Sequence, residues 1–600
     1  MSQTPPTGPS RWALCLVGLG LSALLAAAVA GFSPGHSQAP GIPPDIAARS
    51  ARWLFAVLAI FSLTPLVLHK HAALAGQTGP AARSWPWLLA AFAASPFWLM
   101  YAAHFWENGE AATGFLQYDM AYYLANGREI FERGNGWMYC NPYDPRPEAP
   151  VIYFHWLMWV MGVAVMKLGC DPGLVSVAIC LAGGWVCAYF TYRLVAAVVA
   201  DRRWEVPCFL LAMWGGGAFV LWEGLAVPPL DGNLAALFRG EPAGGDWCLN
   251  WGRNLFYPTE AVYHALVAIA WWGVAVGRRG TALAAVCLLA ATHPFSGAQH
   301  LAIITLWFAL RTVWTRQIQD LACLLLASAA SGLFGWYYFV YLPGFAEHRE
   351  LQHTWELDWS FPLGALLLAH LFVLPAAIQR LIQDRLRLPP AAAFLALACL
   401  VSLALSKHEL LIAPRQPLHF ARGYTWLPLL LIGWPAIAGW LAWLQARLHG
   451  WRLAAALAAG MLVACSDNAA WIAMKSAYAN TALYLQPDER DMLRAANQRR
   501  LRGLLVCSNS KVSYLAATYT SLDPYWGHVF NTPQRHEKTR LMPQFFEFAD
   551  KPGPADVEEL KQSWRYLLIP FPQQLRTSPK LEVIHRNDNW LLARPKQPGA

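Results

Sequence analysis

Residues Gly173–Ala200 read GLVSVAICLAGGWVCAYFTYRLVAAVVA, 28 residues with Arg193 as the one charge. As a helix rising 1.5 Å per residue, such a run is about 42 Å long, enough to cross the roughly 30 Å apolar core of a bilayer with some tilt. Similar runs lie on both sides of it: Trp12–Phe32, Trp53–His69, Trp85–His104, Val206–Val227, Glu260–Val276, Leu321–Leu342, Phe361–Ile378, Ala391–Leu405, Tyr424–Leu444 and Leu453–Met474. Two shorter runs, Thr281–Thr292 and Ser296–Leu310, flank His293-Pro294 and read as a helical hairpin or a pair of short spans. Composition agrees. Hydrophobic residues are 56% of the 600 and charged residues 14%, against roughly a quarter charged in ordinary soluble domains. Mean hydropathy is +0.31. So few charges cannot cover a water-soluble globule of this size.

Val151–Leu168, VIYFHWLMWVMGVAVMKL, is apolar but follows a long polar loop directly. If it lies in the interface, with the N-terminus inside, the basic loops all fall on the cytoplasmic side: Lys70 and Arg83, Arg202 and Arg203, Arg278 and Arg279, Arg311 and Arg316, Arg380, Arg385 and Arg387, Arg447 and Arg452. If it crosses, every later basic loop flips outward. Positive residues mark cytoplasmic loops, so the sequence predicts an all-α polytopic membrane protein. About 13 spans are accompanied by interfacial helices, and the C-terminus lies outside. The net charge of +9 belongs to these loops and not to a nucleic-acid surface. Ala28-Val29-Ala30 resembles a signal cleavage site, but the preceding run is long for a signal peptide, and an uncleaved anchor is expected.

Two domains are expected. Residues 1–474 hold the membrane part, with a first outer loop at 105–150 and a basic outer loop at 407–423. Residues 475–600 form a small extracytoplasmic α/β or α+β domain. In that tail Arg502–Cys507, Tyr566–Ile569 and Trp590–Ala593 read as strands and Asp488–Gln498 as a helix. None of the 12 cysteines is in a CxxC pair or at metal-ligand spacing with His. A Cys140–Cys248 bridge is open if both loops face an oxidising side.

The first outer loop contains Q-Y-D-M-A-Y-Y-L-A-N-G-R-E-I-F-E-R-G-N-G. Met120–Arg133 reads as a short amphipathic helix stopped by Gly134 and Gly136, with Asp119 just before it. Asp119 has two compatible readings, a helix N-cap or a general base. A carboxylate beside apolar aromatics has its charged form disfavoured, which suits it to take a proton from a hydroxyl. Tyr122, Glu107, Glu110, His155 and His293 are further candidate substrate contacts, with solvated loop charges and satisfied buried histidines as their alternatives. In the basic loop Lys407, Arg415 and Arg422 are countered only by Glu409, against the outer-side charge bias. With His408 and His419 they read either as lipid-headgroup contacts or as a phosphate site, since Arg binds phosphate bidentately. No P-loop, Rossmann glycine pattern, G-x-S-x-G or H-E-x-x-H is present. Gly527-His528 and Thr532-Pro533 lie in a turn-rich stretch of the tail, read as loop structure with an acceptor-binding role as the alternative.

This layout resembles the C-type superfamily of membrane glycosyltransferases, which use polyprenyl-phosphate-linked sugar donors. The likeness rests on Y-D-M-A-Y-Y, on the interfacial runs Met120–Arg133 and Val151–Leu168, and on the tail patterns S-Y-L-A-A-T-Y-T…Y-W-G-H-V-F-N-T-P and W-R-Y-L-L-I-P. The sequence departs from that pattern in its single Asp, in two extra spans before the loop, and in N-P-Y-D-P-R-P-E-A-P where a Pro-Pro pair is common. The resemblance implies an enzyme of the bacterial inner membrane that works at its outer face. Asp119 would act on an acceptor, and Lys407, His408, Arg415 and Arg422 would hold the donor phosphate. The expected partners are the lipid-linked donor, an unnamed lipid, glycan or protein acceptor, and membrane lipids, with no nucleic acid. No cofactor is assigned, and a divalent cation is left open. The rival readings are a transporter or lipid flippase, and a non-catalytic protein with a degenerate form of the same fold.

Overall fold

The structure is a computed structural model that describes residues 44–74, 77, 79–226, 251–354, 358–477, 483–547, 552–570 and 581–596. The expected first span, Trp12–Phe32, and Cys248 lie outside them. The chain divides into two units. Unit 1 comprises 1–103, 180–334 and 357–479, and unit 2 comprises 104–179, 335–356 and 480–600.

Among the described residues six helices are long and apolar enough to cross a membrane: Ala48–Leu74, Pro80–Ala111, Pro172–Val198, Ile318–Gly344, Trp426–Arg447 and Gly450–Ala477. A seventh is added if Leu363–His370 and Leu374–Gln383, bent by 73°, count as one span. These are six or seven of the expected 13 spans, and several of the other runs differ for local reasons. Val206–Val227 is not continuous; it forms the helices Glu205–Trp214 and Phe219–Ala226. Thr281–Thr292 and Ala391–Leu405 become short apolar helices, Arg279–Ala290 and Pro390–Ser406. Helices Pro258–Ala275 and Pro294–Thr315 carry Glu260, His264, Gln299 and His300 among their buried residues.

In unit 1 the break at Gly215–Ala218 is held by a carboxylate. Asp467 accepts the N–H groups of Gly217, Phe219 and Val220 at 2.9, 3.2 and 2.9 Å. Asn468 donates to the carbonyls of Trp214 and Gly215 at 3.0 and 2.9 Å. Backbone freed from a helix inside a membrane needs such partners. Only glycine fits at 217, where a Cβ would stand 2.4 Å from the Leu368 carbonyl oxygen.

Unit 2 contains a five-stranded sheet. Its order is Leu522–Pro524, Gly503–Cys507, Tyr566–Pro570, Trp590–Pro595, Leu581–Arg586. The first three strands pair in parallel, and the last two join antiparallel. All three strands and the helix read from the tail sequence are present, the helix as Pro487–Gln498. The parallel strands need a crossover, and helix Ser510–Tyr519 supplies it between Gly503–Cys507 and Leu522–Pro524. In the same unit the first outer loop forms helix Tyr118–Glu132, which crosses helix Trp156–Met166 closely. A Cβ on Gly162 would lie 2.1 Å from the Gly127 carbonyl oxygen. At 11 residues Trp156–Met166 is about 16 Å long. That is too short to cross, as its interfacial reading requires.

Candidate functional site

Helix Tyr118–Glu132 begins with an extended Gln117, whose side chain accepts the Asp119 N–H at 2.7 Å. Gln117 is therefore the N-cap, and Asp119 sits in the first turn. That carboxylate meets the tail. His528 Nε2 lies 2.8 Å from Asp119 Oδ1. His528 Nδ1 accepts from the Phe530 N–H at 3.1 Å and from Asn531 Nδ2 at 2.9 Å. With Nδ1 accepting, the ring proton belongs on Nε2, directed at the carboxylate. The Asp119 side chain is 33% exposed and that of His528 2%. The acid is thus the member of the pair that a substrate can reach.

Tyrosines surround the pair. Tyr118 and Tyr122 lie 4.9 and 4.8 Å from the His528 ring, centroid to centroid. Tyr118 stacks on Tyr514 at 4.6 Å. The Tyr514 hydroxyl accepts the Tyr122 N–H at 3.0 Å and donates to the Tyr118 carbonyl. Thr518 donates to the Ala121 carbonyl at 2.9 Å. Helix Ser510–Tyr519 therefore fixes the start of the loop helix through backbone groups. Burial pushes the Tyr122 hydroxyl up to about 12, so it stays neutral. The His528 turn is equally constrained: a Cβ on Gly527 would be 2.2 Å from the Tyr143 ring.

The remaining candidates fall elsewhere. Glu107 ends the long helix Pro80–Asn108, and Glu110 is exposed in the following turn. His155 and His293 are N-caps, accepting from Met158 N and Ser296 N at 3.4 and 3.1 Å. Cys140 is a buried free thiol donating to Glu129 at 3.3 Å.

The basic loop belongs to unit 1. Lys407 pairs with Glu409 at 2.9 Å and sits over the Phe361 ring. Arg422 is buried against Glu260, Tyr263 and His419. Burial opposes its charge, but Glu260 more than offsets this and raises its pKa above the ordinary value. Burial and that guanidinium together drive His419 well down. His408 staples the loop, with Nδ1 2.6 Å from the Leu405 carbonyl and Nε2 accepting the Arg415 N–H at 2.9 Å. Arg415 is exposed and makes no ion pair among the described residues.

Two partners escaped the sequence reading. The one signal for His528 was its place in the G-H turn of the tail pattern. For Glu260 it was a carboxylate inside an apolar block, which in a membrane protein needs a partner. Among the described residues no group of three or more His, Cys, Asp or Glu is placed to hold a metal ion.

No family model and no curated protein matches the chain. Among solved structures it is similar to the crystal structure of ArnT from Cupriavidus metallidurans bound to undecaprenyl phosphate. The identity is 14% and the TM-score 0.41, over 86% of this chain and 98% of that one.

Proposed function

We propose that the chain is an integral membrane glycosyltransferase. It takes a sugar from a polyprenyl-phosphate donor and passes it to an acceptor at the outer face of a bacterial inner membrane. One observation carries the reading: an accessible carboxylate, Asp119, oriented by a buried histidine, His528, in a tyrosine-walled setting. Asp119 takes the proton of the acceptor hydroxyl or amine as that atom attacks the anomeric carbon. The bond from this carbon to the phosphate oxygen breaks, and the electron pair leaves with the polyprenyl phosphate. Attack opposite the leaving group inverts the anomeric carbon. Arg415, exposed and without an ion pair among the described residues, is the basic-loop cation best suited to contact a phosphate. Lys407, His408 and Arg422 shape the loop that carries it.

A transporter or flippase would use broken helices to bind cargo. The break at Gly215–Ala218 already has its backbone groups engaged by Asp467 and Asn468. The deciding experiment is transfer by purified Asp119→Asn with a panel of polyprenyl-phosphate sugars. The wild type should transfer from at least one donor, and the variant should do so roughly 10²–10⁴-fold more slowly. Wild-type turnover by the variant would remove Asp119 from the chemistry.

A further inference from the structure

Unit 2 holds a cavity of about 330 Å³ whose wall includes Arg128, Arg490, Arg494, Asp171 and Tyr519. This lies at the small end of the range for small-molecule sites, roughly 300–1,000 Å³. The cavity is separate from the Asp119 pair. Arg128 follows Asp119 by nine residues on one helix, which places it about 13 Å further along and half a turn round.

The wall is rich in guanidinium groups. Arg128 is 5% exposed, and one of its terminal nitrogens meets Glu132 at 2.6 Å. Arg490 gives a terminal nitrogen to the Ala112 carbonyl at 2.7 Å, and Arg494 is exposed. Asp171 is the one acid on the wall, and its Oδ1 is engaged by the N–H groups of Gly173 and Leu174 at 2.9 and 3.1 Å. Three guanidinium groups thus face one engaged acid, and planar guanidinium groups match phosphate oxygens.

The position of the cavity adds a second constraint. Asp171 and Pro172 lie at the start of the apolar helix Pro172–Val198, which is long enough to cross a membrane. Val165, Leu485 and Leu493 also line it. Leu168 and Leu174, next to it in the chain, are 72% and 58% exposed.

From these donors and this position we infer that the cavity binds a phosphate group, either the headgroup of a membrane amphiphile or free phosphate. Cys170 is exposed on its wall, which gives a reporter in the full-length protein. The experiment follows maleimide alkylation of Cys170 by peptide mass mapping, with three probes: dioctanoyl phosphatidic acid, inorganic phosphate and dioctanoylglycerol. The phosphatidic acid should slow alkylation, and dioctanoylglycerol should not. Arg490→Gln and Arg494→Gln should each raise the concentration needed by about tenfold or more. The Arg494 side chain is exposed, so that variant keeps its fold. Protection by inorganic phosphate at matching concentration identifies free phosphate as the ligand; protection only at far higher concentration identifies the lipid. The inference fails if neither phosphate compound protects, if dioctanoylglycerol protects equally, or if both variants match the wild type. Asp119→Asn should keep full protection, so loss of transfer and loss of this site are read separately.

Discussion

At the scale of single residues, the division of labour between Asp119 and His528 follows from their exposure. The histidine is enclosed and holds its proton toward the carboxylate, so under the proposed function it is a positioning residue. General bases contribute roughly 10²–10⁴-fold, and Asp119→Asn should lose transfer by that order. His528→Ala removes a hydrogen bond to a charged group, worth roughly 1.5–3 kcal/mol. It should lower kcat by about ten- to a hundredfold with KM little changed. His528→Gln, whose amide can reach the same oxygen, should restore part of the loss. Steady-state kinetics on the three variants checks this, and an unchanged kcat in His528→Ala would leave the histidine with a purely structural role. Asp119 was legible in the sequence because a lone acid stood at a helix start among aromatics. That Gln117 takes the N-cap was not, since Gln117 and Asp119 are both able caps. His528 was read as part of a loop, with acceptor binding as the alternative, because nothing local ties it to a carboxylate 409 residues away.

At the scale of elements, the loop helix owes its placement to the crossing at Gly127 and Gly162. Gly162→Ala puts a methyl into the Gly127 backbone. Overpacking of this kind costs about 1–3 kcal/mol, so a lower Tm and weaker transfer should appear together; an unchanged Tm would mean the crossing is looser than described. Helix Arg535–Glu547 offers a pH test. Burial lowers Lys538 to about 8 from the ordinary 10.5. The folded state then holds fewer protons than the unfolded one between those values. The destabilisation is complete below about pH 8 and is relieved as pH rises toward 10.5, by about 3 kcal/mol in all. Lys538→Met should therefore raise Tm at pH 7, and its advantage should shrink toward pH 10 in thermal melts. A gain independent of pH would contradict this account. The tail strands were legible because short apolar runs between polar turns have few alternatives. The interrupted helices were not. Apolar runs such as Val206–Val227 look continuous until Asp467, some 250 residues away, supplies partners for the broken backbone.

At the scale of the whole molecule, the charge rule makes a prediction about sidedness. An impermeant thiol reagent added outside should label Asn589→Cys in the tail and spare Arg278→Cys, in backgrounds free of other accessible cysteines; the reverse pattern would overturn the arrangement and the outer-face chemistry with it. Unit 2 is assembled from three separated stretches, 104–179, 335–356 and 480–600, and that has a consequence for how the protein comes into being. The ribosome makes Asp119 409 residues before His528. At about 5–20 residues per second the interval is roughly 20–80 s. Through that time the loop helix has neither the histidine nor the Tyr514 and Thr518 hydroxyls that later hold its first turn. Under the proposed function, a nascent chain holds Asp119 without these partners until the segment carrying Tyr514, Thr518 and His528 has emerged.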